Sequence, residues 1–334
     1  MQVWTQLEGY LPEKDCPLIL ALGNFDGLHL GHREIIKKVL SRARSQNGIP
    51  AVLTFFEHPQ RVLSRSKEPG LLTSPQHRLY LFNDAGVQIC FLPHFTPLIS
   101  KLSPESFVSD WLVKKLKISE IHLGTNARFG CGRKGDGPLM KKLAQKYQFG
   151  FIEEKPVSVR GEVLSSTLIR QKIREGKLLE VQSYLGSQFS IFASVVRGSG
   201  RGKALGFPTA NLQPHSEALP PNGVYPVKLR ENIYHLHPGR NPNQFYYEAE
   251  APSEWRQGVL NYGIRPTFQG ESPQPIAEVH LFDYSRELYG KTVEVSFYPR
   301  LREERFFGRE RELAEQIKKD ILQVKDYFKD LDGR

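Results

Sequence analysis

Across the first half of the chain, short apolar runs alternate with stretches of helical period. Leu18 to Leu22 form an unbroken apolar run, which reads as a buried strand. Gly23 and Gly27 then break it, with Asn24 and Asp26 between them, as a turn requires. From His32 onward, Ile35, Ile36, Val39, Leu40 and Ala43 recur at helical spacing, and Gly48 is the expected stop. The alternation continues. Ala51 to Phe56, Val87 to Leu92 and Ile118 to Leu123 read as strands. Helices are expected to open at Thr73-Ser74-Pro75-Gln76, at Ser103-Pro104 (carrying Phe107, Val108, Trp111 and Leu112) and over Leu139 to Tyr147. Strands separated by helices predict a parallel, doubly wound α/β sheet. Ligands of such sheets sit at the carboxyl ends of the strands, so the turns after the first, second and fourth strands should border one pocket.

The pattern changes at Leu185-Gly186. Apolar residues then alternate through Phe189, Ile191, Ala193 and Val195, as in a half-buried strand. Further short runs follow around Gly223-Val224-Tyr225, Gly258 to Gly263, Glu278 to Phe282 and Val293 to Phe297, set off by glycine and proline turns. Many short strands of this kind predict a small antiparallel β-barrel. Leu313, Ile317, Ile321, Val324 and Phe328 then lie on one face of a C-terminal helix that would cover it. The expected domains are residues 1–186 and 187–334. Pro226 suggests an edge strand, since proline cannot donate to a ladder. Between Leu229 and Gly258 lies a polar, proline-containing segment to which the pattern assigns no element.

Composition narrows the class. With 334 residues, 39% hydrophobic and 25% charged, the chain fits a globular protein of two domains. No apolar run approaches the ~18 residues of a membrane span. The N-terminus carries acids and lacks the pattern of a signal peptide. Three widely spaced cysteines, Cys16, Cys90 and Cys131, argue against a disulfide framework and for a reducing, cytoplasmic compartment. A net charge of +10 favours anionic partners, but the basic residues are scattered, with no arginine-rich arm or aromatic-basic ribbon for nucleic acid.

Five stretches carry candidate chemistry. His29 and His32 stand at a helix mouth, where unpaired N–H groups and a partial positive charge suit phosphate. Glu57-His58-Pro59 follows the second strand, and a glycine-rich basic stretch from Gly124 to Gly135 follows the fourth. Ser165, Ser166 and Thr167 precede a helix bearing Arg170; hydroxyls at a helix cap and a fixed guanidinium suit a triphosphate, although an ordinary N-cap reads the same way. The stretch Gly200 to Asn211 sets glycines near basic residues, which lets backbone approach phosphate, yet it lacks the Gly-Lys-Ser/Thr of a Walker loop.

Gly23 to His32, read as Gly-x-Phe-Asp-Gly-x-His-x-Gly-His, resembles the signature of the HxGH nucleotidyltransferases, in particular the FMN adenylyltransferase module of bacterial riboflavin kinase/FAD synthetase. Ser165 to Arg170 resembles the second signature of that family. The resemblance implies that Gly23, Phe25, Asp26, Gly31, His32, Ser165, Ser166, Thr167 and Arg170 hold ATP, with His29 and His32 catalytic. It also implies that Asn126, Arg128 and Phe129 border FMN. Two departures stand out: Ala127 replaces a phenylalanine, and Phe56-Glu57 replaces the usual Glu-Pro.

Gly206 to Asn211 is similar to the riboflavin kinase signature Gly-x-Pro-Thr-Ala-Asn, and the likeness runs on through Asn261, Glu278-Val279-His280 and Arg302. It implies ATP at Gly198, Gly200, Gly202, Gly206, Pro208, Thr209 and Asn211, and Mg²⁺ at Thr209 and Asn211. Asn261, Arg302 and Phe306 would border the flavin, and Glu278 would be the general base. The segment 230–257 is longer than that family usually carries. The expected protein is a mostly monomeric enzyme that uses ATP, riboflavin and FMN, without a nucleic-acid or membrane partner. The rival readings are a chain that kept only the kinase activity, a basic RNA-binding protein with a synthetase-like His29-Leu30-Gly31-His32 turn, and a non-catalytic flavin-binding regulator.

Overall fold

The computed structural model describes residues 1–59, 70–198, 202, 205–215, 218–231, 234–264 and 275–333. It divides into two units. The first comprises residues 1–69, 75–166 and 234–249, and the second comprises 70–74, 167–233 and 250–334.

The first unit is built on six parallel strands: β1 (Gln2–Trp4), β2 (Leu18–Leu22), β3 (Ile49–Leu53), β4 (Ile89–Phe91), β5 (Glu120–Gly124) and β6 (Gly150–Glu154). Their order is β1-β4-β3-β2-β5-β6. Side chains alternate across the sheet: Leu18, Leu20 and Leu22 of β2 enter one apolar layer, Ile19 and Ala21 the other. Both faces are therefore covered, as a parallel sheet demands. The Ile19 face packs against α1 (Leu30–Ser45) through Ile36, Val39 and Ala43. Leu79 and Phe82 of α2 (Pro75–Ala85) join the same layer. The opposite face takes Phe107, Val108 and Leu112 from α3 (Phe107–Lys115), a widened π-type helix, and Met140, Leu143 and Ala144 from α4 (Gly137–Tyr147).

The doubly wound expectation holds, with three differences. β1 and β6 carry too little apolar signal to be read in advance. After α1 the left-handed residue is Asn47, at φ 50°, not Gly48; the Gly48 N–H closes the helix on Ala43 O at 2.8 Å. The third difference is the segment after Leu229. It forms a hairpin, Tyr234–Pro238 and Gln244–Ala249, that belongs to the first unit and extends its sheet to eight strands by pairing antiparallel with β1. Tyr247 is the apolar anchor of this hairpin: it is buried in the Ile19 layer and stacks on Tyr234 at 5.7 Å.

Besides residues 70–74, the second unit takes in α5 (Ser166–Arg174), whose first residue belongs to the first unit, and α6 (Leu178–Leu185). The latter stops at Gly186, which is left-handed at φ 71°. A closed barrel follows: β7 (Ser190–Val196), β8 (Ala210–Pro214), β9 (Gly223–Glu231), β10 (Arg256–Ile264), β11 (Pro275–Leu281) and β12 (Thr292–Phe297). The strands run β8-β11-β10-β9-β12-β7 and all pairings are antiparallel. Closure leaves no edge. The edge strand expected from Pro226 is thus corrected: β9 is paired on both sides, and its ladder with β12 starts only at Val227, so the missing N–H falls outside that ladder. The C-terminal helix α7 (Glu310–Asp332) buries Val324 and Phe328 against Val224, Val259 and Phe282.

Candidate active sites

In the first unit, the turn between β2 and α1 is held in an uncommon shape. Phe25 and Leu28 take left-handed φ values of 48° and 37°, and both side chains are buried. Bulky residues adopt that region only when their surroundings over-determine it. Here the Phe25 ring is wedged edge-on between Phe82 (5.8 Å) and His32 (5.2 Å), and the Gly23 N–H is tied to Leu53 O at 3.2 Å.

His29 is the N-cap of α1, with Nδ1 accepting the His32 N–H at 3.3 Å. An imidazole that accepts through Nδ1 carries its proton on Nε2, which leaves Nε2–H free to donate. The two rings stack at 3.7 Å. Gly31 permits this, since a Cβ there would come within 3.1 Å of the His29 ring. Burial pushes His29 down to about 4, against the opposing pull of Asp26. Burial, and then the neighbouring His29, hold His32 well below the ordinary histidine value. At neutral pH both rings are therefore neutral donors at a helix N-terminus, suited to an anion.

Around this turn, Ser166 Oγ donates to Asp26 O at 2.9 Å, which joins the start of α5 to the glycine turn. Ser165 is exposed. Thr167 and Arg170 are grouped with the second unit, where the buried Arg170 donates through Nε to Gly70 O at 2.8 Å. After β5, Asn126 and Arg128 are exposed, whereas Phe129 is a core residue, 5.9 Å from Phe107 and bridged to Gly135.

In the second unit, strand register brings three of the expected residues into one row. Asn211 on β8 stands opposite Glu278 on β11, and Glu278 stands opposite Asn261 on β10. A cavity of about 250 Å³ opens beside them, lined among others by Gly202, Thr209, Asn261, Glu278 and Arg302. A Cβ on Gly202 would sit 2.7 Å from Thr209 Oγ1, so only glycine lets that backbone close over the hydroxyl. Gly198 lies against the Asn211 amide in the same way. Pro208 O accepts from His280 Nδ1 at 2.8 Å, and Gly206 is left-handed at φ 86°. Gly200 lies outside the described residues. Phe306 is 97% exposed and does not line the cavity; its neighbour Phe307 does.

Sequence reasoning passed over Phe307, over Asp320 and over Arg78. Asp320 is buried on α7 and grips Arg302 with both oxygens, at 2.9 and 2.6 Å. A lone acid in an amphipathic helix gives no signal until the helix is placed. Arg78 sits in a helix that the sequence reads only by its cap.

A histidine-capped turn at the head of a parallel sheet, and a barrel cavity lined by a carboxylate, an amide and a hydroxyl, offer the chemistry of a phosphate-transferring enzyme. The FAD synthetase family model matches residues 11–168 and the riboflavin kinase model matches residues 185–328. The chain is 33% identical over 318 residues to the bifunctional riboflavin kinase/FMN adenylyltransferase of Escherichia coli K12, covering 95% of this chain and 94% of that one. It belongs to the bifunctional riboflavin kinase/FMN adenylyltransferase family. The Bacillus subtilis 168 protein of the same name is 32% identical over 325 residues, 96% of each chain. Among solved structures, the macrolide-efflux protein from Streptococcus pneumoniae matches with a TM-score of 0.78 at 25% identity, over 97% of this chain and 98% of that one. Among the described residues of the present chain, no helix is long and apolar enough to cross a membrane.

Proposed function

We infer that this chain phosphorylates riboflavin to FMN and then adenylylates FMN to FAD, each step with ATP. The observation that carries the reading is the placement of Glu278 between Asn211 and Asn261 in the barrel, in a chain that also keeps His29 and His32 at the head of α1.

In the kinase step, the terminal ribityl hydroxyl oxygen attacks the γ-phosphorus. Its proton passes to the Glu278 carboxylate, the bond from the γ-phosphorus to the bridging oxygen breaks, and ADP leaves. A positioned base of this kind contributes roughly 10²–10⁴ in rate. Thr209 and Asn211 offer neutral oxygens beside the phosphate cradle, and with the substrate's own phosphates they suit Mg²⁺. The ion would neutralise phosphate charge there. Arg302, fixed by Asp320, and Asn261 border the flavin.

In the adenylyl step, an FMN phosphate oxygen attacks the α-phosphorus of ATP and pyrophosphate departs. Little covalent work falls to the protein, so positioning and charge stabilisation dominate. His29 and His32 donate Nε2–H to phosphate oxygens, and Ser165 and Ser166 supply further donors; the family resemblance assigns Thr167 and Arg170 to the same ATP. Asn126 and Arg128 face solvent where the FMN phosphate would approach.

We assign the adenylyl transfer to residues 1–186 and the kinase to 187–334, with the hairpin Tyr234–Ala249 serving the first unit's sheet. The three free cysteines fit a cytoplasmic protein, and its partners are the small molecules themselves. The test is to incubate the purified protein with riboflavin, ATP and Mg²⁺ and to separate the flavins. FMN followed by FAD is expected. FMN alone would leave only the kinase, and neither product would overturn the reading.

A further inference from the structure

Arg78 is buried, 3% exposed, yet its hydrogen-bond partners among the described residues are all uncharged oxygens. Nη1 donates to Asn24 O (3.1 Å) and to Thr54 Oγ1 (3.3 Å), and Nη2 donates to Phe56 O (2.7 Å). Thr54 Oγ1 in turn donates to the same Asn24 O, at 3.0 Å. Nε has no partner among the described residues. A full charge taken out of water and met only by neutral acceptors is costly, and a leucine or methionine would fill the volume without that cost. Burial works against the charge here, and the nearby Asp26 supports it.

What the guanidinium gains is geometry. Its planar fork reaches two separate turns at once, which neither lysine nor an apolar side chain can do. One is the turn after β2, where Phe25 and Leu28 are held at positive φ and His29 begins α1. The other is the turn after β3, Thr54 to Phe56. Both leave the carboxyl ends of adjacent parallel strands, where ligands of such sheets bind. The Asn24 carbonyl that Arg78 and Thr54 share precedes the strained Phe25 by one residue.

We propose that Arg78 is a positioning residue of the adenylyl-transfer half: from α2 it clamps the histidine turn to the turn after β3 and holds the two in register for ATP and FMN. The proposal rests on the adenylyltransferase reading given above. Arg78 acts through backbone and touches no reacting atom. A misplacement of about 1 Å in such a frame costs on the order of 10²-fold.

The experiment uses the full chain with Arg78→Met and Arg78→Lys. Arg78→Met is expected to lower kcat for FAD formation from supplied FMN by roughly 10²-fold, with riboflavin phosphorylation by the same preparation within about twofold of wild type. The latter reports that the second unit is folded, and protection of β2 and β3 from exchange reports the same for the first. Arg78→Lys, which keeps the charge but reaches one turn, should recover only about tenfold of the loss. Hydrogen exchange gives a readout independent of activity. In Arg78→Met the amides of residues 23–28 and 54–57 should exchange faster together, while those of β2 and β3 stay protected. Two results would overturn the proposal: FAD formation by Arg78→Met within about threefold of wild type, or unchanged exchange at both turns. If the wild-type protein makes no FAD at all, the adenylyltransferase reading falls, and the exchange measurement still decides the clamp.

Discussion

Glu278 on β11 stands opposite Asn211 on one neighbouring strand and opposite Asn261 on the other. Glu278 and Asn261 line a cavity of about 250 Å³, and the role proposed for the carboxylate is to take a proton from a bound hydroxyl. Glu278→Gln keeps the shape and removes the base. FMN formation should fall by roughly 10²-fold or more, while FAD formation from supplied FMN is unchanged, as read by separating the flavins in two parallel assays. Loss of both activities in a folded variant would contradict separate sites.

The converse change is at the head of α1. His32→Ala removes one donor and one face of the stack with His29. FAD formation should drop by about 10²-fold, the scale of losing a transition-state donor, with riboflavin phosphorylation intact. An undiminished rate of FAD formation would end the histidine assignment.

The depressed His29 also makes a prediction about pH. Its folded-state value of about 4 lies below the ordinary 6.5, so between these the unfolded chain binds more protons than the folded one. Stability therefore rises with pH through that window and falls as pH drops from about 6.5 toward 4, by at most ~1.4 kcal/mol per unit for one group. His29→Asn retains an N-cap acceptor and removes the titration. Urea unfolding at pH 5 and pH 7 should show a smaller difference for the variant than for wild type. An equal difference would show that His29 does not titrate across this range.

Tyr247 offers a test of the hairpin. It is 2% exposed, and its hydroxyl has no hydrogen-bond partner among the described residues. Tyr247→Phe removes an unpaired buried polar group and should stabilise the protein by about 1 kcal/mol. Tyr247→Ala empties the site and should cost about 3–5 kcal/mol. Denaturant midpoints of the two variants should move in opposite directions; a shared direction would mean that the hairpin is not packed as described.

Much of this was legible from local pattern. Leu18 to Leu22 reads as a short buried strand, and the apolar spacing from Ile35 to Ala43 as a helix after it. The cap at Gly186 and the apolar face of α7 were equally plain. These features are written within a few residues of one another, where sterics and periodicity act directly. His29, His32 and Glu278 were visible as residue types, because the chemistry proposed for them requires particular side chains.

What distance along the chain concealed, tertiary structure decided. The hairpin Tyr234–Ala249 is polar along most of its length; its two strands pair with each other, but only the sheet at β1 takes up its second strand and gives Tyr247 a place to bury. Pro226 reads as an edge residue until barrel closure shows which of its two sides needs no donor. Phe129 reads as a ligand-facing aromatic until the core takes it, and Phe307 rather than Phe306 faces the barrel cavity. Arg78 has no signal at all in a sequence, since its role is defined by three oxygens from two turns more than twenty residues away. Local pattern dictates what each segment is; burial and the pairing of polar groups across long separations dictate which segments meet.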